Sequence, residues 1–468
     1  MNHFIRVRGK RFYRGEEEIL FKGIGIGSWL NLEHFMIGMP GNDFQIRRSF
    51  SDVFGKETAE RFFDSFVREF VSEKDFEFMR ELGINLVRVP FNYRLFLDDE
   101  EPGNYKRTGF AYFDSLFALA RKYEIYVLPD LHTVPGGQNP DWHSDNGTGH
   151  TLFWQYGIFR RQMVQLWREI ALRYRDEEYL LGYDILNEPF LIPDPLDSTG
   201  EESMATGFTA AGLDDSLFRF YSEATQAVRS VDGNHIIFLE GDHFASDFDC
   251  LKGISDEQTA LTFHYYPTVW YEDLYDQDYD PGERARKFEE VFVRLIRIRE
   301  AFQRPILCGE AGYEIASNGM EATLPLIRLT MGLFEKYRVS FTLWSYKDAC
   351  FMGLVYPAAD SPWMALADKI REQWDHHRQT RQAAEGLEAL LAKEYPKAGR
   401  DEKYILTFRQ RAVLYPLEQK HILKPLLEAY CGEEILKLPE SFRFENCGWH
   451  EEFAREYREF RWRPQEEG

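Results

Sequence analysis

Residues 160–190 read RRQMVQLWREIALRYRDEEYLLGYDILNEPF, a helix followed by a strand. Arg160 to Tyr174 is the helix and Leu180–Asn187 (LLGYDILN) the strand, which runs into a polar end, Asn187-Glu188-Pro189. The same unit recurs on both sides. Upstream, Glu60 to Leu82 carries Phe62, Phe63, Phe66, Phe70 and Met79 at spacings of three and four, the period of one buried helix face. Gly83 stops that helix, and Ile84–Pro90 (INLVRVP) is a strand. Phe113 to Tyr123 is a helix before the strand Ile125–Leu131 (IYVLPDL). Downstream, the helix Ser216 to Val231 precedes His235–Glu240, and Ala260–His264 is a short strand. Arg286 to Phe302 is a helix before Pro305–Glu310 (PILCGE), and Leu324 to Lys336 a helix before Val339–Ser345 (VSFTLWS). Phe21–Gly27 (FKGIGIG) is the first strand of the series.

Eight strands alternating with helices must run parallel, because the crossovers are long and right-handed. Eight units close into a barrel, where an open doubly wound sheet has fewer. The expected fold class is therefore α/β, a (β/α)8 TIM barrel ending near Trp374. Val7 to Leu20 is expected to form a small hairpin that plugs the barrel floor. Asp375 to Gly468 breaks the alternation: it is charged, helix-prone and poor in Gly-rich turns. Leu387, Leu390 and Leu391 form one helical stripe there, and Ile422, Leu423, Leu426 and Leu427 another. Trp449, Phe453, Phe460 and Trp462 argue against a disordered tail. The expected division is residues 1–374 as barrel with its N-terminal hairpin, and 375–468 as a helical extension packed on it.

The formal charge of −22, from 78 acidic against 56 basic residues, repels phosphate backbones and argues against a nucleic-acid partner. No apolar run of about 18 residues is present, so no membrane span is expected. Met1 to Lys22 lacks the apolar core, about 7–15 residues, of a secretory leader. The five cysteines, Cys250, Cys308, Cys350, Cys431 and Cys447, are odd in number and scattered, which suits a reducing compartment. Together these features predict a cytoplasmic protein. No CxxC or HExxH pattern occurs, so neither metal nor cofactor is expected.

In a parallel barrel, chemistry gathers at the C-terminal ends of the strands. There the sequence sets Arg88 with Asn92 and Tyr93, Asp130-Leu131-His132, Asn187-Glu188-Pro189, His264-Tyr265-Tyr266, Gly309-Glu310 and Trp344. Any one of these is a weak signal; their gathering at one rim is a strong one. Glu188 and Glu310 end strands four and seven, and are expected to face each other across the barrel. Glycoside hydrolysis needs such a pair of carboxyls, and a gap of about 5–5.5 Å between them permits direct attack with retention.

The segments LLGYDILNEPF and PILCGEAGY resemble the acid/base and nucleophile motifs of glycoside hydrolase family 5, in clan A. VRVPFNY, DLHTVPGGQN, HYY and TLWSY fill that family's other places in order, over residues 20–350. The resemblance implies a retaining β-glycosidase, with Glu188 as general acid/base and Glu310 as nucleophile. It implies that Asn187 binds the sugar 2-hydroxyl, and that Arg88 and Tyr266 hydrogen-bond Glu310 and stabilise its charge. His132 and His264 are implied to position hydroxyls and tune the pair, and Trp344 to form the platform under the reacting sugar. Glu188 is expected to be protonated before attack and to act as base afterwards.

GSWLNLEH, Gly27 to His34, resembles the first-loop segment of exo-β-1,3-glucanases within the family, and PGGQN, Pro135 to Asn139, resembles their PGSQN. Glu33 then takes the place of a loop glutamate that contacts the outer hydroxyls of a terminal glucose. This implies exo action on a β-linked oligo- or polysaccharide from its non-reducing end. The helical extension is foreign to that pattern. The alternatives are an endo-acting β-1,4-glucanase or β-mannanase with an open cleft, a non-catalytic carbohydrate-binding barrel, and a metal-dependent hydrolase. Trp142-His143-Ser144-Asp145 and the loop Tyr265–Tyr279 are expected to shape the mouth. The sequence leaves sugar identity, linkage and oligomeric state open.

Overall fold

The computed structural model describes residues 3–191, 216–276, 278–374, 376–397 and 400–463. Asp375 and residues 464–468, the two ends of the predicted extension, lie outside the described residues. Three short antiparallel strands come first, β1 (Ile5–Arg8), β2 (Arg11–Arg14) and β3 (Glu17–Ile19). The predicted hairpin thus has a third strand. Phe12 of β2 packs on Phe21 and Phe238, with ring centroids 5.5 and 6.0 Å apart, and so closes the barrel floor.

The barrel strands follow: β4 (Lys22–Gly25), β5 (Leu86–Asn92), β6 (Tyr126–Thr133), β7 (Gly182–Asp184), β8 (Ile236–Glu240), β9 (Thr259–His264), β10 (Ile306–Glu310) and β11 (Ser340–Leu343). They are parallel, each beside the next in the chain, and β11 returns to β4 to close the ring. Glu188 follows β7 and Glu310 ends β10, with β8 and β9 between them. The two are therefore not diametrically opposed, as the strand count had suggested, but three positions apart around the ring. That spacing brings the strand ends close on one side of the rim.

Several helices differ from their predicted bounds for local reasons. The expected helix Glu60 to Leu82 is two, Lys56–Phe70 and Glu73–Glu81, because Val71 turns extended (φ −127°, ψ 118°). Asp75 Oδ2 then accepts hydrogen bonds from both the Ser72 N–H and the Ser72 hydroxyl, each 2.7 Å, and starts the second helix. The expected helix Arg286 to Phe302 begins earlier and divides, into Pro281–Ile296 and Ile298–Phe302. Its start is set by Pro281 in the first turn and by the Asp280 carboxylate, which accepts from Glu283 N at 2.7 Å.

Beyond the barrel's last helix, Pro362–Gln373, come the helices His376–Glu394 and Arg400–Glu418. Leu423 and Leu427 of the second predicted stripe are fully buried, whereas Leu390 of the first is 51% exposed. Near the C-terminus a strand β13 (Cys447–Trp449) pairs with β12 (Val355–Pro357), an element absent from the purely helical expectation. In the final helix, Glu451–Glu459, Tyr457 donates its hydroxyl to Gly23 O at 3.0 Å. The Lys22 ammonium donates to Tyr457 O at 2.9 Å. These contacts tie the chain's end to the first barrel strand.

Candidate active site

Arg88 lies in β5 with no exposed surface, and its guanidinium organises the barrel's upper interior. Nε donates to Asp184 Oδ2 at 2.9 Å and Nη1 to Glu310 Oε1 at 2.7 Å. Nη2 donates to Asn187 Oδ1 at 2.8 Å and Glu240 Oε1 at 2.9 Å, with Asp130 Oδ2 at 3.1 Å. One cation faces four carboxylates, so not every acid can stay ionised. Burial pushes Asp184 well above the usual carboxylate range despite Arg88, and pushes Asp130 up to about 6.

Glu310 closes β10 where the sequence placed it. Oε1 takes Arg88, and Oε2 accepts from the Tyr266 hydroxyl at 2.8 Å. Burial and the adjacent Glu310 charge push the Tyr266 hydroxyl well up, so it remains a donor. Asn187 spends its oxygen on Arg88, which turns its amide nitrogen toward His132 Nε2, 3.5 Å away.

Glu188 has φ +47°, a left-handed backbone that costs a non-glycine residue roughly 1–2 kcal/mol. Two contacts hold it there: its N–H donates to Glu240 Oε2 at 2.6 Å, and its carbonyl accepts from Asn139 Nδ2 at 2.9 Å. The carboxyl lies between two histidines, Oε1 at 2.6 Å from His264 Nδ1 and Oε2 at 3.0 Å from His143 Nε2. Burial favours the neutral acid, but hydrogen bonds from His143 and His264 outweigh it and hold Glu188 well below the usual carboxylate range. Correspondingly His143 is pushed up to about 9 and His264 well above an ordinary imidazole, each against the opposing effect of burial. These contacts work against the proton that Glu188 is expected to carry before attack and favour protonation of the two imidazoles.

His132 is the contrary case. Burial pushes it down to about 3, so the ring is neutral, and Nδ1 donates to Asp130 Oδ2 at 2.7 Å. Its Nε2 faces Glu33 Oε1 at 3.6 Å. Glu33 is only 2% exposed, and burial drives its carboxyl well above the usual range. Trp344 follows β11, its ring parallel to that of His132 within 6°, with centroids 6.0 Å apart. Gly25 and Gly27 make room for it: a β-carbon there would come within 2.7 and 2.5 Å of the indole. This is why the first strand reads FKGIGIG.

Glu33, His132, Glu188, His264, Glu310 and Trp344 line one cavity of 1010 Å³. Tyr266 lines it too, while Arg88 and Asn187 are held to the site by hydrogen bonds, Arg88 to Glu310 and Asn187 to Arg88. Trp142 and His143 form its wall as expected of their loop. Asp145 instead turns inward to Asn92, and Tyr265 donates to Phe288 O in the core. Of the loop Tyr265–Tyr279, residue 277 lies outside the described residues. Sequence reasoning missed Glu240, which ends β8 in HIIFLE and carries the same acid-at-strand-end signal as Glu310. It also missed Asp184, Asn139 and Arg411, and gave His143 no role beyond the mouth. Two clusters have metal-like spacing among the described residues. In Asp130, Asp184 and Glu240 the guanidinium of Arg88 already supplies the positive charge. The other, Glu188 with His264 and Glu310, is the pair of glutamates and the imidazole between them.

Among the described residues, no helix is long and apolar enough to cross a membrane. Residues 41–349 match the family described as Cellulase (glycosyl hydrolase family 5). The chain is 33% identical to a beta-xylosidase of Phanerodontia chrysosporium, over 78% of this chain and 75% of that protein. It is 25% identical to Endoglucanase C of Acetivibrio thermocellus, over 64% of this chain and 88% of that one. A glucan 1,3-beta-glucosidase of Schwanniomyces occidentalis is 30% identical over 36% of this chain and 42% of its own. In structure, an endogalactoceramidase superposes with a TM-score of 0.53 at 16% identity, covering 74% of this chain and 75% of the other, a likeness of fold.

Proposed function

The chain belongs to the cellulase family, glycosyl hydrolase family 5, and is a glycoside hydrolase; from that premise we propose a retaining exo-β-glycosidase that releases the terminal sugar of a β-glucoside. Glu310 attacks the anomeric carbon while Glu188 protonates the departing oxygen. Glu188 then deprotonates the water that opens the glycosyl ester. The observation that carries this reading is the closeness of the two carboxyls, one oxygen of Glu188 lying within 4.8 Å of one oxygen of Glu310. Retention goes with about 5–5.5 Å, whereas inversion needs room for a water at about 6.5–9.5 Å.

The remaining roles follow from the contacts. Arg88 and Tyr266 hold the Glu310 carboxylate in one orientation, so attack costs little reorganisation. Asn187 offers its amide nitrogen to the 2-hydroxyl. Trp344 lies under the sugar ring, and Glu33, kept neutral by burial, can both donate to and accept from an outer hydroxyl. Exo action is supported by Glu33, the first-loop glutamate that lines the cavity together with Trp142 and His143. Residues 375–468 belong to the same working unit in this reading, because Arg411 lines the cavity. The beta-xylosidase relative makes a terminal β-xyloside the rival sugar, since xylose lacks only the hydroxymethyl arm.

Alanine replacement of Glu188 or Glu310 tests the pair on aryl β-glucosides. Loss of Glu188 costs about 10²–10⁴-fold in rate, as for other general acids. Azide restores the Glu188→Ala variant with a β-glycosyl azide as product. Turnover that survives both replacements unchanged would remove the assignment. For the mode of action, release of monosaccharide alone from the first minutes is expected. Early medium-length fragments with a fast fall in viscosity would instead establish endo cleavage. Parallel rates on aryl β-glucoside and β-xyloside identify the sugar.

A further inference from the structure

His143 comes from the loop after β6, not from a strand end, and is 9% exposed. Its Nε2 lies 3.0 Å from Glu188 Oε2, and Asn139 Nδ2 approaches the same nitrogen at 2.9 Å. The Asn139 amide cannot be turned around, because its oxygen accepts from Asp141 N at 2.9 Å while its nitrogen also donates to Glu188 O. Nε2 therefore has a partner in both protonation states. With a proton it donates to Glu188; without one it accepts from Asn139. On the ring's other side Nδ1 faces Asp141 Oδ2 at 3.8 Å, and Asp141 Oδ1 accepts from the Arg411 guanidinium of the helix Arg400–Glu418. A line of groups thus runs from the C-terminal segment through Asp141 and His143 to Glu188.

We propose that His143 is the proton reserve of Glu188, a positioning residue that sets when the acid/base carboxyl carries its proton. The inference rests on the reading of Glu188 as acid/base. In the first half-reaction the Nε2–H bond breaks and an O–H bond forms at Glu188. The carboxyl passes a proton to the glycosidic oxygen as its bond to the anomeric carbon breaks and the bond to Glu310 forms. In the second half-reaction Glu188 takes a proton from water as the water oxygen bonds to the anomeric carbon and the bond to Glu310 breaks; Nε2 then recovers the proton from Glu188, so no proton is gained or lost over the cycle. The titratable groups that face His143 are Glu188 after β7, Asp141 of its own loop, Glu33 of the loop after β4, and His132 of β6, whose ring centroid is 5.8 Å away. Burial opposes the imidazolium, but the hydrogen bond and charge of Glu188, with the charge of Asp141, push His143 up to about 9. The pair therefore keeps its shared proton into mildly alkaline solution.

The experiment measures kcat/KM against pH for the full chain and its His143→Gln and Asp141→Asn variants. One substrate is a dinitrophenyl β-glucoside, whose leaving group needs no proton, and the other an alkyl β-glucoside, whose leaving group does. In His143→Gln the alkaline limb is expected to move to lower pH by about one to two units. The alkyl glucoside is expected to lose about 100-fold while the dinitrophenyl glucoside changes little. Asp141→Asn, a milder change, is expected to shift the limb the same way by less. An alkaline limb that stays in place in both variants, or equal losses on the two substrates, overturns the proposal. Glu188→Ala is run alongside: if it too spares the alkyl glucoside, the acid/base reading itself has failed. If it does not, only the role of His143 is removed.

Discussion

Arg88 is the residue on which the other charges of the site depend. Its guanidinium makes direct contact with Asp130, Asp184, Glu240 and Glu310 in a space without solvent. Removing one partner from a buried charge cluster leaves the others uncompensated, at roughly 3–5 kcal/mol. Arg88→Met should therefore lower stability by about that amount and abolish turnover. Urea denaturation checks the first half, and an unchanged midpoint would show that the acids neutralise one another by taking up protons. The position of Arg88 was legible in the sequence as a polar residue within an apolar strand, and its role beside Glu310 was implied by the family resemblance. Of its three further acidic partners, Asp130 was visible only as a strand-end residue and Asp184 and Glu240 look like ordinary strand residues until the barrel closes around the guanidinium.

At the scale of an element, β4 and the loop after it exist to seat Trp344. A β-carbon on Gly27 would approach the indole to 2.5 Å and the Met36 methyl to 2.8 Å. Gly27→Ala should therefore displace the ring. The overpacking costs about 1–3 kcal/mol, while kcat/KM falls by about 100-fold from misplacement of the sugar. Kinetics beside thermal melting separate the two effects; a variant with normal kcat/KM would mean that Trp344 is not the platform. The strands themselves were readable because burial on both faces produces short apolar runs that end abruptly in polar residues. The break at Ser72 was obscured by the apolar spacing of three and four, which continues across it. Asp75 in the second helix also accepts from the Tyr346 hydroxyl at 2.8 Å, a tertiary contact that local spacing does not record.

At the scale of the whole molecule, the C-terminal segment bears on the barrel mouth. Glu418, at the end of the helix Arg400–Glu418, is largely buried, and burial pushes its carboxyl up to about 7 despite Trp374 and Arg411. Its ordinary value is 4.5. Between the two values the folded chain holds a proton that the unfolded chain has released, so this group's contribution to stability is lost as pH rises through that window. Glu418→Gln, which cannot ionise, should melt progressively higher than the parent chain as pH rises from about 4.5 to 7 and differ least below it. Melting curves across pH 4–8 read this directly; a difference constant with pH would show that Glu418 is ionised in both states.

The sequence by itself determined the parallel barrel, the rim that carries chemistry, and the residues Glu33, Arg88, His132, Asn187, Glu188, His264, Tyr266, Glu310 and Trp344 that gather there. It could do so because secondary structure and strand ends are written in local periodicity, and a closed ring of parallel strands brings those ends together; Glu33, on a loop, was marked only by the family resemblance. Only the tertiary structure decided which groups press on the proton affinity of Glu188. An imidazole from a loop that no periodicity marks favours the charged form of Glu188, with Arg411 of the helix Arg400–Glu418 two contacts behind that ring. Proton affinity depends on burial and on distances of a few ångströms between groups remote in the chain, and those distances are fixed only when the loops pack.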